Sequence, residues 1–282
     1  MHNLKSLQFC RSLPEALAGE SRLRVHSVFH HACNLMTSQG VMITLQTRDM
    51  PLAPRSAILP LDDFRSMFYQ DAVLLLQEGN RLVLNPLWLT LTAGASVSTR
   101  LDSRLQQQEL PLLTAKIGNF LAHNPPSGGM YDLLRGEGGI YSPAMLSHLP
   151  VALAHLRAWL ADADMMLDVD SSLRQLLGFG IGLTPSADDF MLGVLLVLDY
   201  CESFKYQVLS SQIPPLLTRT TDISAAMLAN GCKGRYSHHF SSFLTAPIDD
   251  IDQTLQLVAK YGHSSGHDML CGIHFALTAL YP

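Results

Sequence analysis

The stretch Gly178-Phe179-Gly180-Ile181-Gly182-Leu183-Thr184-Pro185-Ser186-Ala187-Asp188-Asp189-Phe190, with Gly193 one turn on, is where the fold is most readable. Three alternating glycines let the backbone adopt positive φ or approach a neighbour closely. Thr184 reads as an N-cap and Pro185 as the first helical residue, where a missing N–H costs nothing. The helix that follows, with its apolar run Phe190 to Leu198, is too short to cross a bilayer, which needs about 20 residues, and reads as a core helix. Its free N–H groups and positive dipole end face the glycine loop, which makes a ready anion site. The glycines match neither the Gly-x-x-x-x-Gly-Lys-Ser/Thr phosphate loop nor the Gly-x-Gly-x-x-Gly turn of dinucleotide sites. The plainer alternative is a tight turn before a well-capped helix whose acids complement its dipole.

What lies around this helix sets the fold class. From about residue 102 the pattern is helical, first over Leu105 to Ala122, then near 144–162, 185–202, 206–231, 250–260 and 265–281. Asn124 to Gly129 and Gly136 to Gly139 interrupt it, and the Gly/Pro-rich stretch ending at Ser142-Pro143 is either a mobile loop over a site or a long connection. The first hundred residues read as strands: Leu23 to Phe29 alternates, and Val41 to Leu45 follows a Ser38-Gln39-Gly40 turn. Val73 to Leu76 and Arg81 to Leu84 flank the hairpin signal Glu78-Gly79-Asn80, and Pro60 to Phe64 reads as a helix start. Without β-α alternation a doubly wound sheet is excluded. The expected class is α+β, with an N-terminal β-rich lobe (1–101) packed on a C-terminal mostly helical lobe (102–282) that carries both glycine-rich motifs.

The second motif is Gly262-His263-Ser264-Ser265-Gly266-His267-Asp268-Met269-Leu270, followed by Gly272. Ser186, Asp189 and Gly193 recur as Ser265, Asp268 and Gly272, each 79 residues later. The shared Ser-x-x-Asp-x-x-x-Gly spacing puts acid and glycine of each helix on one face. Helices crossing in parallel at the glycines would bring Asp189 and Asp268 within roughly 10 Å; an antiparallel crossing would leave them about 12 Å or more apart. In the parallel case the N-termini share a pocket, with carboxylates for a proton or cation and amides for an oxyanion. Ser-x-x-Asp is also a common capping pattern, so the echo has coincidence as its competitor. A metal would draw on His263, His267, Asp268, Asp188 and Asp189, but the histidines straddle a helix start and no His-Glu-x-x-His is present; no metal and no other cofactor is expected. The pairs His30-His31 and His238-His239 read as surface or satisfied histidines.

Composition closes off other classes. The 282 residues can bury a sizeable core, and 48% hydrophobic against 15% charged residues excludes bulk disorder. A net charge of −5 with scattered Lys and Arg excludes a nucleic-acid partner and a polybasic membrane patch. Five cysteines without a Cys-x-x-Cys pair fit reduced thiols, and with no signal peptide or membrane span evident the expectation is a cytoplasmic protein.

Residues 178–189 and 262–268 resemble the signature motifs of the AllH-like family, with Ala187 where the family motif has glycine. Ser27-Val28-Phe29, Ala32 and Asn34-Leu35 are similar to it as well. The resemblance implies a subunit of an oxamate carbamoyltransferase, a multi-subunit enzyme of allantoin degradation. Such an enzyme moves a carbamoyl group between oxalurate and phosphate, giving oxamate and carbamoyl phosphate. The partners implied are a small anionic substrate and the other subunits of a hetero-oligomeric complex, without which the chain is expected to be inactive. The expected anion-binding residues are Gly180, Gly182, Thr184, Ser186, Ser264, Ser265 and Gly266, and the proton-handling ones Asp188, Asp189, His263 and Asp268. Ser98-Thr99-Arg100 is only a fragment of the Ser-x-Arg-Thr-Arg motif of aspartate- and ornithine-type carbamoyltransferases, so that fold is not expected. The alternative role is a non-catalytic metabolite-binding or assembly subunit.

Overall fold

The computed structural model describes residues 2–84, 86–101, 107–126, 128–137, 146–162 and 167–281. The expected helical start at Leu105, the glycines 138 and 139, Ser142-Pro143 and the start of the helix expected from 144 lie outside them. The chain divides into two compact units, Met1–Arg100 with Tyr236–Ser241, and Leu101–Arg235 with Ser242–Pro282. As the sequence implied, the N-terminal region is a curled β-sheet and the C-terminal region helical.

In the first unit the strands are β1 (His2–Lys5), β2 (Gln8–Cys10), β3 (Arg22–Val28), β4 (Ala32–Met36), β5 (Met42–Gln46), β6 (Ser56–Ile58), β7 (Val73–Gln77), β8 (Arg81–Leu84), β9 (Leu87–Thr90) and β10 (Ala95–Val97). Helix α1 (Leu13–Leu17) lies between β2 and β3. The sheet order is β1-β9-β8-β7-β3-β4-β5-β6-β2-β10. Strands β1 and β2 are one segment bent at Ser6-Leu7, yet they stand near opposite ends of that order, so the sheet curls back on itself. The bend bonds in both directions: Ser6 N–H donates to the Thr90 carbonyl (2.9 Å) and Leu7 N–H to that of Ile58 (2.8 Å). Gly94 permits this, because a Cβ there would stand 2.2 Å from the Leu7 carbonyl oxygen. Leu23, Val25, Leu35, Ile43, Leu45 and Leu89 meet inside the curl with Leu13 and Leu17 of α1 and with Phe64 and Phe68. The expected helix at Pro60 does not form. Phe64 is buried there, and its N–H is drawn to the His30 carbonyl. The hairpin at Glu78-Gly79-Asn80 forms as read, with Gly79 and Asn80 at φ +75° and +55° and Gln77 paired to Arg81.

Among the described residues, the helices of the remainder are α2 (Leu110–His123), α3 (Met130–Leu134), α4 (Leu149–Ala161), α5 (Asp170–Leu176), α6 (Ser186–Tyr200), α7 (Phe204–Gln212), α8 (Asp222–Gly231), α9 (His238–Thr245), α10 (Ile251–Ala259) and α11 (Ser265–Leu280). The helix expected over 206–231 is broken in two, since Pro214-Pro215 removes two amide donors and leaves a 3-10 turn, Pro214–Arg219. None of the described helices is long and apolar enough to cross a membrane.

Helix α6 organises its unit. It is apolar on nearly every face and buried along nearly its whole length, which places it at the centre of a helical layer. Its main partner is α11, and the contact is backbone on backbone. A Cβ at Gly193 would stand 2.3 Å from the Met269 carbonyl oxygen, and one at Gly272 would stand 2.0 Å from that of Phe190. Phe190 also meets Phe275 edge to face, with centroids 5.1 Å apart. The helices run parallel, since Thr184, just before α6, bonds to Ser265 at the start of α11. Any side chain at position 272 must push the helices apart, and overpacking of this kind costs about 3 kcal/mol or more. Gly272→Ala is expected to lower the unfolding temperature by about 6 °C or more, or to abolish soluble expression. A thermal melt matching wild type would show that the contact can give way.

Candidate functional site

The two glycine-rich motifs meet at the N-termini of α6 and α11. Pro185, not Thr184, is the N-cap of α6, and no side chain caps that helix. Thr184 instead extends its hydroxyl to that of Ser265, 3.0 Å away, and so joins the motifs. On the other side Ser264 is the N-cap of α11, also without a side-chain capping bond.

Each helix puts its acid beside the serine of the other. Asp189 of α6 lies by the hydroxyls of Ser265 and Thr184, and Asp268 of α11 by those of Ser186 and Ser264. Both carboxyls are buried, and the Oδ2 of each has no hydrogen-bond partner among the described residues. Burial is the main cause of their raised pKa values, and the charge of Asp268 adds to the rise at Asp189. Asp189 is pushed well above the usual carboxylate range, and Asp268 up to about 6. Burial thus favours the protonated form of Asp189. Tyr261, just ahead of the second motif, is pushed up to about 12 by burial and the charge of Asp189.

Asp188 differs from this pair. Its Oδ1 accepts from the Gly178 N–H at 2.8 Å, and its Oδ2 accepts from the hydroxyls of Ser224, at 2.7 Å, and Thr220. Burial raises its pKa, and these three donors oppose the rise. The carboxylate thereby ties the glycine loop to α8. Asp268 holds a second segment, because Met130 N–H donates to its Oδ1 at 2.6 Å. Gly129 (φ +83°) makes that approach possible, since a Cβ there would stand 2.4 Å from the same oxygen.

The first-turn amides are partly occupied. Ala187 N–H donates to the Phe179 carbonyl (2.9 Å) and Gly266 N–H to that of Tyr261 (3.0 Å), a matched pair of loop-to-helix bonds. Gly180 (φ +137°) lies directly over the Ser186 nitrogen, where a Cβ would stand at 2.3 Å, and Gly266 packs on the Val258 carbonyl. The loop itself therefore fills much of the space read from the sequence as an open anion pocket. What reaches solvent is a rim. Ile181, Gly182, Leu183, Gly262 and His263 are exposed, and Thr184, Ser264 and Ser265 are half-buried. His267 points elsewhere, stacking on Phe120 with centroids 6.2 Å apart, and burial lowers its pKa. Among the described residues no group of three His, Cys, Asp or Glu side chains is placed to hold a metal ion.

Sequence reasoning missed Thr220, Ser224, Gly129, Met130 and Tyr261. The doubled Gly128-Gly129, both at positive φ, was legible only as a break. Nothing local marks Thr220 or Ser224, which stand 32 and 36 residues from Asp188.

A curled N-terminal sheet and a helical unit whose paired, parallel helix N-termini enclose two acids define the class of this protein. Residues 5–101 match the model of the AllH family N-terminal domain, and residues 176–277 match the model described as oxamate carbamoyltransferase subunit AllH. The chain belongs to the AllH family. No solved structure matches it.

The electrostatics of Asp268 carry a signed prediction. Its carboxyl titrates near 3.8 when unfolded and near 6 when folded, so between those values the folded chain binds more protons. The stability this contributes is complete below about pH 4 and lost as pH rises to about 6, a difference of about 3 kcal/mol. Asp268→Asn keeps an acceptor for the Met130 N–H and carries no charge. Its unfolding temperature should rise relative to wild type between pH 4 and pH 7, measured by calorimetry at fixed ionic strength. A difference that stays constant over that range would show that Asp268 is not a buried charge in the folded protein.

Proposed function

We propose that this chain is the subunit of an oxamate carbamoyltransferase complex that handles an anionic substrate at the joined rims of its two glycine motifs. The reaction is the phosphate-dependent cleavage of oxalurate in allantoin degradation. A phosphate oxygen attacks the carbamoyl carbon, the C–N bond to the oxamate nitrogen breaks, and the proton of the attacking hydrogen phosphate passes to that nitrogen. Atoms and charge then balance as oxamate and carbamoyl phosphate.

The observation that carries this reading is the Thr184–Ser265 bridge with the buried carboxyl of Asp189 behind it, whose protonated form burial favours. Hydroxyls are both donors and acceptors, so they relay a proton between a buried acid and an anion on the rim. Thr184, Ser264, Ser265 and the backbone of Gly180, Gly182 and Gly266 then supply donors to the anion, assisted by two positive helix ends. Asp189 and Asp268, coupled through the crossed serines, hold the travelling proton, with Ser186 positioning Asp268. His263, exposed on the rim, meets the substrate. Asp188 acts as a positioning residue, since its oxygens are engaged by Gly178, Thr220 and Ser224. Ile181 and Leu183 are 59% and 53% exposed on either side of Gly182, apolar surface that a neighbouring subunit would bury while excluding water.

A second reading, a non-catalytic metabolite-binding or assembly subunit, is favoured by one finding: the loop carbonyls already take the amides of Ala187 and Gly266. Substitution separates the two readings. In the complex with its co-expressed partner subunits, Asp189→Asn is expected to lower turnover of oxalurate at saturating phosphate by about a hundredfold or more, the scale of a lost acid–base group. An assembly subunit would instead show weaker binding or association with turnover unchanged. The chain alone should show no turnover. Absence of oxalurate cleavage in any combination of subunits, with no binding of phosphate, oxamate or carbamoyl phosphate, would remove both forms of the proposal.

A further inference from the structure

A cavity of about 220 Å³ opens on another flank of α11, lined among others by Gly118, Tyr131, Arg135, Arg157, His274 and Phe275. At about 100° per residue, Cys271 and His274 are turned well away from the Gly272 face that meets α6. The described residues that line the cavity include two guanidiniums and no carboxylate.

Each guanidinium is laid on an aromatic ring. Arg157 stands over Phe275, 4.4 Å from its centroid, and Arg135 over Tyr131 at 5.5 Å. The rings fix the planes of the cations by cation–π attraction. Their donors meanwhile have weak partners. Arg157 reaches the Thr278 hydroxyl at a long 3.4 Å, and Arg135 reaches the Tyr131 hydroxyl at 3.3 Å and exposed Glu137 at 3.2 Å. An exposed ion pair of that kind contributes little, so a ligand carboxylate displaces it at small cost.

His274 completes the lining. Gly118 of α2 makes room for it, because a Cβ at position 118 would stand 2.8 Å from the imidazole Nε2. Burial, then the neighbouring Arg157 charge, holds its pKa below the usual histidine range, so at neutral pH it offers one donor and one acceptor without adding charge.

We propose that this cavity is a binding site for a small planar carboxylate, with Arg157 and Arg135 as charge partners, Phe275 and Tyr131 as walls, and His274 as a neutral hydrogen-bonding group. Guanidinium and carboxylate match as two flat forks; phosphate also takes a bidentate fork, but only a planar group lies along the aromatic walls as well. The volume falls below the roughly 300 Å³ at which drug-sized pockets begin, which restricts the ligand to a small metabolite. The site shares no residue with the motif rim and does not rest on the function proposed above.

Titration calorimetry on the full chain tests it, with oxalate, oxamate, benzoate and inorganic phosphate at matched ionic strength. At least one planar carboxylate should bind saturably at one site per chain, without competition from phosphate. Arg157→Gln and Arg135→Gln should each weaken that binding about tenfold or more, and Arg157→Lys should lose part of it by keeping the charge without the fork. Arg174→Gln, at an exposed arginine outside the cavity and the rim, should leave it unchanged. Melting temperatures of the cavity arginine variants, both altered on exposed side chains, confirm that they fold. The proposal is overturned if no planar carboxylate saturates, if phosphate competes equally, or if both cavity arginine variants bind as wild type. Binding lost in Thr184→Ala but kept in Arg157→Gln would overturn it while supporting the rim.

Discussion

The contact of Gly193 with Gly272 is the constraint on which the helical unit depends. Two helices that touch through backbone come closer than the 8–10 Å usual for side-chain packing, and at that separation their relative register has little freedom. Because they run parallel, two positive dipole ends arrive side by side, an arrangement that repels. Acids in the first turns of α6 and α11 compensate, but the same close packing removes them from water and drives their pKa values up. Burial thus favours the neutral form of Asp189, at the price of weaker compensation. The shifted acids are a consequence of glycine packing, and the serines crossed between the helices supply the polar surroundings that make it tolerable.

How much of this was legible depends on the range over which each signal acts. The Ser-x-x-Asp-x-x-x-Gly spacing is local and repeats, so a face shared by acid and glycine could be read from it, and the parallel crossing followed as one of two geometries. The openness of the site could not. Whether a glycine loop leaves a helix end free depends on where its carbonyls point, and here Phe179 and Tyr261 turn theirs onto Ala187 and Gly266. Thr184 looked like a cap because its type and position before Pro185 suit one. The Thr184 hydroxyl bonds to Ser265 instead, a partner 81 residues on.

The first unit shows the same division. The hairpin β7–β8 and the strands β3 and β5 are periodic or bounded by turn residues, and they form where read. Strands β1, β2, β9 and β10 are three or four residues each, with no pattern of their own. They exist because the bend at Ser6-Leu7 gives β1 and β2 different partners, including parallel pairing with β9 and β10. The residues of this region that resemble the family have a structural account. Asn34 donates to the Ser27 hydroxyl across β3 and β4 (3.0 Å) and accepts from Thr44 on β5 (2.9 Å), while Leu35 enters the core. Phe29 N–H donates to the Ala32 carbonyl at the hairpin turn. These residues hold three strands in register.

The two acids with free oxygens are the feature that packing alone does not account for. A buried oxygen without a partner costs on the order of 1–3 kcal/mol, and Asp189 and Asp268 each carry one. For packing, asparagine or a small apolar residue would serve each position without a titratable group. Asp188 shows what a structural carboxylate looks like in the same motif, with both oxygens engaged by donors from two segments. Within a few residues of one chain, one aspartate is saturated and its neighbour is not. Buried groups left unsatisfied beside hydroxyls that lead to the surface are candidates for proton exchange rather than for holding a fold together. That contrast is what supports giving the proton of the proposed carbamoyl transfer to Asp189 and Asp268, with Asp188 keeping the glycine loop in position.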